Sequence, residues 1–305
     1  MISAIVLLDA FCCLAWIVLC YVVIATHNSA AGTRFLPGPP YWPSSVWGAS
    51  DPGPWCERDQ PDALLREPAN AATDIPFFGY SLYMIRCAVV DFLNPPLDRT
   101  ARFSLRSYPA LELLCGLLNA IHGFGTFTNH ACRCHFGHVL DVWGMFLILS
   151  FYSILQLCTL QVLRHSNDTV GISTSHVVAL QAGAAIALWP ASQHFYADSW
   201  CEAFELIGFI ACLLPCLLGH FVIHRQHKHI QYNIRSVLKA VGCLLAGAVA
   251  QSLDQPRHGF PEFCRPDSLL QLHALWHLLT GVALILMFEV YRTVQVTDIS
   301  SRKMK

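Results

Sequence analysis

Charge is what this sequence has least of. Only 13% of its 305 residues are Asp, Glu, Lys or Arg, while 54% are hydrophobic; an ordinary soluble domain carries about 25% charged residues. That balance excludes a water-soluble globular chain. No excess of one sign is present either. The formal net charge is −1, so neither a basic surface for nucleic acid nor a strongly anionic partner is indicated. Cysteine is plentiful at 14, yet the paired spacings of zinc fingers are missing, and Cys132-Arg-Cys134 is too little to make a site. Most other cysteines, such as Cys115, Cys158 and Cys216, lie in apolar runs, where a thiol packs as a small hydrophobe. Internal repeats and low-complexity tracts are absent.

What is present is apolar length. No Asp, Glu, Lys or Arg falls between Asp267 and Glu289, a run sufficient to cross a bilayer as a helix. Further membrane-length segments are expected at 74–94, 109–130, 141–163, 169–190, 202–224 and 234–253, with the last at 268–291. The first of these carries Arg86 and Asp91, and in 234–253 Lys239 has to snorkel to the interface. The predicted fold is an all-α polytopic membrane protein, a seven-transmembrane helix bundle plus one additional N-terminal hydrophobic helix. That additional run, Ala10 to Thr26, lacks a basic n-region and reads as a signal anchor or signal peptide within residues 1–26. Proline and glycine at Pro37-Gly-Pro-Pro and Asp51-Pro-Gly-Pro make residues 27–74 an extramembrane segment. The bundle itself is expected over 75–291 and a cytosolic tail over 292–305.

Basic residues set the orientation. The connections holding Arg99, Arg102, Arg106, Arg164, Arg225, Lys228 and Arg235, with the tail's Arg292, Arg302, Lys303 and Lys305, outweigh the opposite side. By the positive-inside rule they face the cytosol, which puts 27–74 in a lumen and leaves the sequon at Asn167 cytosolic.

Two histidines sit inside the last run, His273 and His277. A separation of four residues puts both rings on one helical face, where they can converge on one metal ion. Polar rings are costly toward lipid, so that face is expected to point inward. The opposing reading is two histidines hydrogen-bonded to neighbouring helices. The topology places His130, at the outward end of the second bundle helix, and Asp141, at the start of the third, at the same depth as this pair. Three neutral imidazoles and an open position suit catalytic zinc, which lowers the pKa of water from 15.7 to about 7. A carboxylate that is not a ligand, Asp141, can then carry the proton to a leaving amine. Thr126, one turn before His130, can hydrogen-bond the water or a developing oxyanion. The competing reading for Asp141 is a helix N-cap, and for Thr126 a bond back to a helix carbonyl.

Thr126-x-x-x-His130, Asp141 eleven residues on, and His273-x-x-x-His277 resemble the motif set of the alkaline ceramidases. These belong to a superfamily of seven-helix membrane hydrolases that also includes adiponectin receptors and Per1-like proteins. Here Thr126 stands where the family pattern has serine. Trp55-Cys56-Glu57, then Glu67-x-x-Asn70-x-x-Thr73-Asp74, and Phe263-Cys264 ahead of the last helix are similar to the ceramidase branch in particular. The resemblance spans residues 51–291. It implies a zinc amidase with His130, His273 and His277 as ligands, Asp141 as acid/base and Thr126 in the serine's role. The implied substrate is ceramide, cleaved to a sphingoid base and a fatty acid, and the implied location is the endoplasmic reticulum or Golgi. It also implies a calcium site formed by Trp55 (through its carbonyl), Glu57, Asp59 and Glu67, oxygen donors suited to a hard cation. Two departures bear on that site: Pro54 replaces an aspartate, and Glu67 is offset by about one residue. Solvated surface is the alternative for this acidic loop. The alternatives in function are a lipid sensor of the adiponectin-receptor kind, a lipid esterase of GPI remodelling, and a structural membrane protein with buried histidines.

Cys56 and Cys264 fall on the same, lumenal side of this topology, where oxidising conditions permit a disulfide. Cys201 is a competitor for either, and free thiols throughout are the other outcome.

Overall fold

The computed structural model describes residues 55–60, 63–95, 103–133, 135–165, 171–194, 201–255 and 261–296. The hydrophobic run at 10–26, residues 27–54 of the extramembrane segment, the sequon at Asn167 and the tail beyond 296 lie outside the described residues.

Among the described residues there are seven α-helices: α1 Pro68–Leu93, α2 Pro109–Cys132, α3 His135–His165, α4 Thr174–His194, α5 Cys201–Gln226, α6 Ile234–Asp254 and α7 Leu272–Arg292. All seven expected segments are helical, and six helices are long and apolar enough to cross a membrane. The exception is α4, which the polar Ser175, His176 and Gln181 dilute. Ile230–Gln231 (β1) pairs antiparallel with Gln295–Val296 (β2), in register Ile230 with Val296. The chain is an all-α polytopic membrane protein.

Helix α4 runs Thr174–His194 against the expected 169–190 and α7 starts at Leu272 against 268, and two further boundaries differ for identifiable reasons. Helix α1 begins at Pro68 rather than Asp74. Proline suits the first turn because its missing N–H would be unpaired there anyway. The free amides of Ala69 and Asn70 donate to Glu57 Oε1 and Oε2 at 2.6 and 2.8 Å, so a carboxylate from the preceding loop caps the helix from outside. Helix α3 begins at His135 rather than Asp141. Asp141 therefore lies inside the helix, which removes the N-cap reading.

The described residues form two compact units. The first draws on those of Met1–Leu82, Asn119–Val142 and Leu238–Leu286; the second on Tyr83–Leu118, Trp143–Val237 and Met287–Lys305. In the first unit Ala71, Phe78, Phe127 and Ala131 make a small apolar cluster. The same unit buries polar groups, among them Asn70, Asp74, Asn119, Thr126 and His130, while Leu238, Leu245 and Val249 are exposed. Polar inside and apolar outside is the distribution a lipid solvent selects. The second unit repeats it. Arg292 bonds Asp91 at 2.6 Å and Glu112 at 2.7 Å, which neutralises the acid that weakened the first apolar segment. Tyr291 Oη donates to Gln156 Oε1 at 2.8 Å and its ring stacks on Tyr152.

Candidate metal centre

The centre lies wholly in the first unit and starts from two glycines. A Cβ on Gly125 would sit 2.5 Å from the Asp141 backbone nitrogen, and one on Gly137 would sit 2.7 Å from the Asn129 nitrogen. Any side chain at either position would force α2 and α3 apart. With hydrogen at both, the two backbones touch, and Thr126, His130 and Asp141 share one neighbourhood.

Helix α7 contributes His273 and His277 from one face. Ligand atoms of His130, His273 and His277 all lie within 4.8 Å of one another, and all three side chains are buried. Two rings are held by carboxylates. His130 Nδ1 is 2.6 Å from Glu67 Oε2, and His277 Nδ1 is 2.8 Å from Asp74 Oδ1. An ionised carboxylate only accepts, so each Nδ1–H donates and each Nε2 keeps a lone pair for a metal. Orientation of ligating histidines by carboxylates is the usual outer shell of such a site. His273 is fixed differently. Its ring stacks on Trp55 with centroids 3.7 Å apart, and its Nε2 faces His130 Nε2 at 3.2 Å.

This arrangement fits zinc. Tetrahedral ligands at 2.0–2.1 Å have nitrogens about 3.3 Å apart, close to the observed His130–His273 separation. Two facing lone pairs in a dry interior repel unless a cation or a proton lies between them. His273 Nδ1 and Asp74 Oδ2 are also buried without a hydrogen-bond partner, a cost that bound groups would relieve.

The other expected residues fall as follows. Thr126 Oγ1 donates to Asp74 Oδ1 at 3.2 Å rather than to a helix carbonyl. Asp141 Oδ2 accepts from Asn129 Nδ2 at 3.0 Å, and Oδ1 is 3.7 Å from His122 Nδ1. Asp141 thus flanks the histidines and leaves both carboxylate-held rings to Glu67 and Asp74. Trp55, Glu57, Asp59 and Glu67 have separate employment: the ring of Trp55 on His273, Glu57 capping α1, Asp59 in a bidentate pair with Arg66, and Glu67 on His130. Among the described residues, the three acids do not form a group with metal-binding geometry. Burial pushes the Glu57 carboxyl above its ordinary range despite its two amide donors. Burial alone would also raise Glu67, but the Arg133 guanidinium and His130 beside it hold that carboxyl below the usual value.

The amino-terminal loop is fastened across the start of α7. Cys56 and Cys264 form a disulfide, with Cα atoms 5.2 Å apart. Arg58 bonds Asp267 through both nitrogens at 2.7 and 2.9 Å, and its amide donates to Pro266 O at 3.0 Å. Asp254, the last residue of α6, accepts from Cys56 N at 2.9 Å and Leu272 N at 3.0 Å. One carboxylate therefore caps α7 and seats the loop that carries Trp55.

Four contributors have no role assigned from the sequence: Asp74, quoted there only as the end of a motif, Asp254, Arg133 and His122. Asp74 had a readable signal, since an ionisable residue in an apolar helix is functional by default. Asp254 and Arg133 had none, because each stands at a helix end where charge is ordinary. Comparison with protein-family models and with curated proteins returns no match for this chain.

Proposed function

We propose that the chain is a zinc-dependent intramembrane amidase that hydrolyses ceramide, or a related N-acyl sphingoid lipid, to a sphingoid base and a fatty acid. The observation that carries this reading is the buried His130–His273–His277 group with Glu67 and Asp74 on its outer nitrogens. Zinc held there supplies Lewis acidity and a nucleophilic water at neutral pH.

The chain's own residues supply the rest. Asp141 accepts a proton from the attacking water and returns it to the departing nitrogen, so that amide and water leave as amine and acid. Thr126 keeps the hydroxyl that the family pattern places one turn before the first ligand, and donates it toward the acyl oxygen as charge develops. While it rests on Asp74 it holds that carboxylate against His277. Trp55 and the disulfide-fastened loop keep bulk water off His273. A site between membrane helices suits a two-tailed lipid that stays in the bilayer. The charge bias along the chain supports a lumenal site, and the family resemblance implies residence in the endoplasmic reticulum or Golgi.

The test is release of sphingoid base from a panel of ceramides by membranes containing the chain, beside His277→Ala and Asp141→Ala at equal abundance. Release by the parent and loss in both variants is the expected result. Zinc bound by the purified parent with no release from any ceramide would remove this reading in favour of a lipid sensor or another lipid substrate.

A further inference from the structure

We propose that Arg133 is a resident cation of the amino-terminal acidic loop, standing where the family resemblance puts calcium and positioning Glu67 on His130. Each carboxylate of that loop is already engaged by N–H donors or a guanidinium, Glu67 Oε1 through its ion pair alone because it has no hydrogen-bond partner. Glu57 gives both to the amides of Ala69 and Asn70. Asp59 gives both to the Arg66 fork. Glu67 gives Oε2 to His130 at 2.6 Å, and its Oε1 lies 2.8 Å from Arg133 Nη1. The same Arg133 nitrogen is 3.9 Å from Asp59 Oδ2. A calcium ion needs six to eight oxygens at about 2.3–2.6 Å, and here each acid is turned toward N–H donors instead. Three carboxylates against two guanidinium groups leave little of the negative charge that would draw a hard cation in.

The backbone places this arginine deliberately. Arg133 follows the last turn of α2 with φ of 48°, the left-handed conformation that usually falls to glycine at a helix end. Its amide donates to Asn129 O at 2.8 Å, which closes the helix. The loop is also hydrogen-bonded to this helix end: the amides of Arg66 and Glu67 donate to Ala131 O and His130 O at 3.0 and 3.1 Å. The end of α2 therefore carries the ligand His130, the backbone acceptors that seat Glu67, and the guanidinium that neutralises it. Arg133 is buried, and a buried guanidinium requires such a partner.

Arg133 acts as a positioning residue: without it, Glu67 is a buried acid facing Asp59 and Glu57, and its hold on the His130 ring loosens. Only the zinc readout below rests on the metal-centre reading; the calcium readout is independent of it and of any turnover. The purified full chain, loaded with zinc, is compared in buffer freed of calcium on a chelating resin before zinc is added and in millimolar calcium. Zinc affinity is read by competition with a chromophoric chelator, thermal midpoint by unfolding, and calcium binding by isotope. The parent is expected to give the same zinc affinity and midpoint in both conditions and to bind no stoichiometric calcium. Arg133→Gln without calcium should lose about 10- to 100-fold in zinc affinity, calcium should restore part of it, and Arg133→Lys should stay near the parent. Stoichiometric calcium on the parent, a parent midpoint that falls without calcium, or unchanged zinc affinity in Arg133→Gln overturns the proposal. If Arg133→Gln does not accumulate, the parent's calcium titration decides alone.

Discussion

Asp74 Oδ1 accepts from two partners at once, His277 Nδ1 at 2.8 Å and Thr126 Oγ1 at 3.2 Å. Helices α1, α2 and α7 meet at that single oxygen. It holds the imidazole of His277 and occupies the threonine hydroxyl, so under the proposed function disturbing it would reach the metal by one bond and the reacting hydroxyl by another.

Asp74→Asn keeps the shape and removes the charge. Zinc affinity, measured by competition with a chelator, is expected to fall about 10- to 100-fold, as for other outer-shell partners of ligating histidines. Thr126→Ser should leave that affinity near the parent value, and unchanged affinity in Asp74→Asn would remove the outer-shell role assigned to this residue.

Asp141 and His277 are expected to separate binding from turnover. Asp141→Asn should retain zinc while sphingoid-base release falls about 100- to 10,000-fold, the range of a lost general acid/base. His277→Ala should lose both, and added zinc should not restore it. Equal zinc loss in the two variants would make Asp141 part of the ligand framework instead.

Chelation gives a parallel check on the whole centre. Stripping with a strong zinc chelator should abolish release, and zinc should bring it back while magnesium does not, because three imidazoles suit zinc and not a hard oxygen-seeking ion. Activity that survives complete stripping would exclude metal-assisted hydrolysis.

Gly125→Ala should be among the costliest methyl additions in the chain, since its Cβ would meet Asp141 N at 2.5 Å and Leu140 O at 2.7 Å, both backbone atoms. Overpacking of this kind costs about 1–3 kcal/mol or more, and here it should also lower zinc affinity by shifting the turn of α2 that carries His130. Gly183→Ala is the control. Nothing lies within 4 Å of its added carbon, so helix propensity should stabilise it by up to about 1 kcal/mol. Thermal unfolding in detergent reads both.

Cys56→Ser with Cys264→Ser should free the amino-terminal loop while leaving the three histidines in place. Protease cleavage within 58–66 is expected to accelerate and the thermal midpoint to fall, with zinc retained. Loop protection equal to the parent's would mean that the Arg58–Asp267 pair and the Cys56–Asp254 bond suffice on their own.

Much of this protein is legible in one dimension because the bilayer acts on local sequence. Each apolar run must satisfy its backbone internally, so length and scarcity of charge give the helix directly, and six of the seven described helices are such runs while α4 is more polar. His273 and His277 are legible for the same reason, since a spacing of four on a helix fixes a shared face. What hydropathy cannot carry is which polar side chain answers which. Glu67 has the look of a calcium ligand in the sequence, and the end of α2 turns it into the support of His130. Asp74 reads as the edge of a helix, and the start of α1 is extended past it by a cap from Glu57, a residue outside that helix. Choosing Cys56 with Cys264 over Cys201 likewise needed the loop to be seen lying on the start of α7. These pairings join residues far apart in the chain through specific distances, and tertiary packing alone decides them.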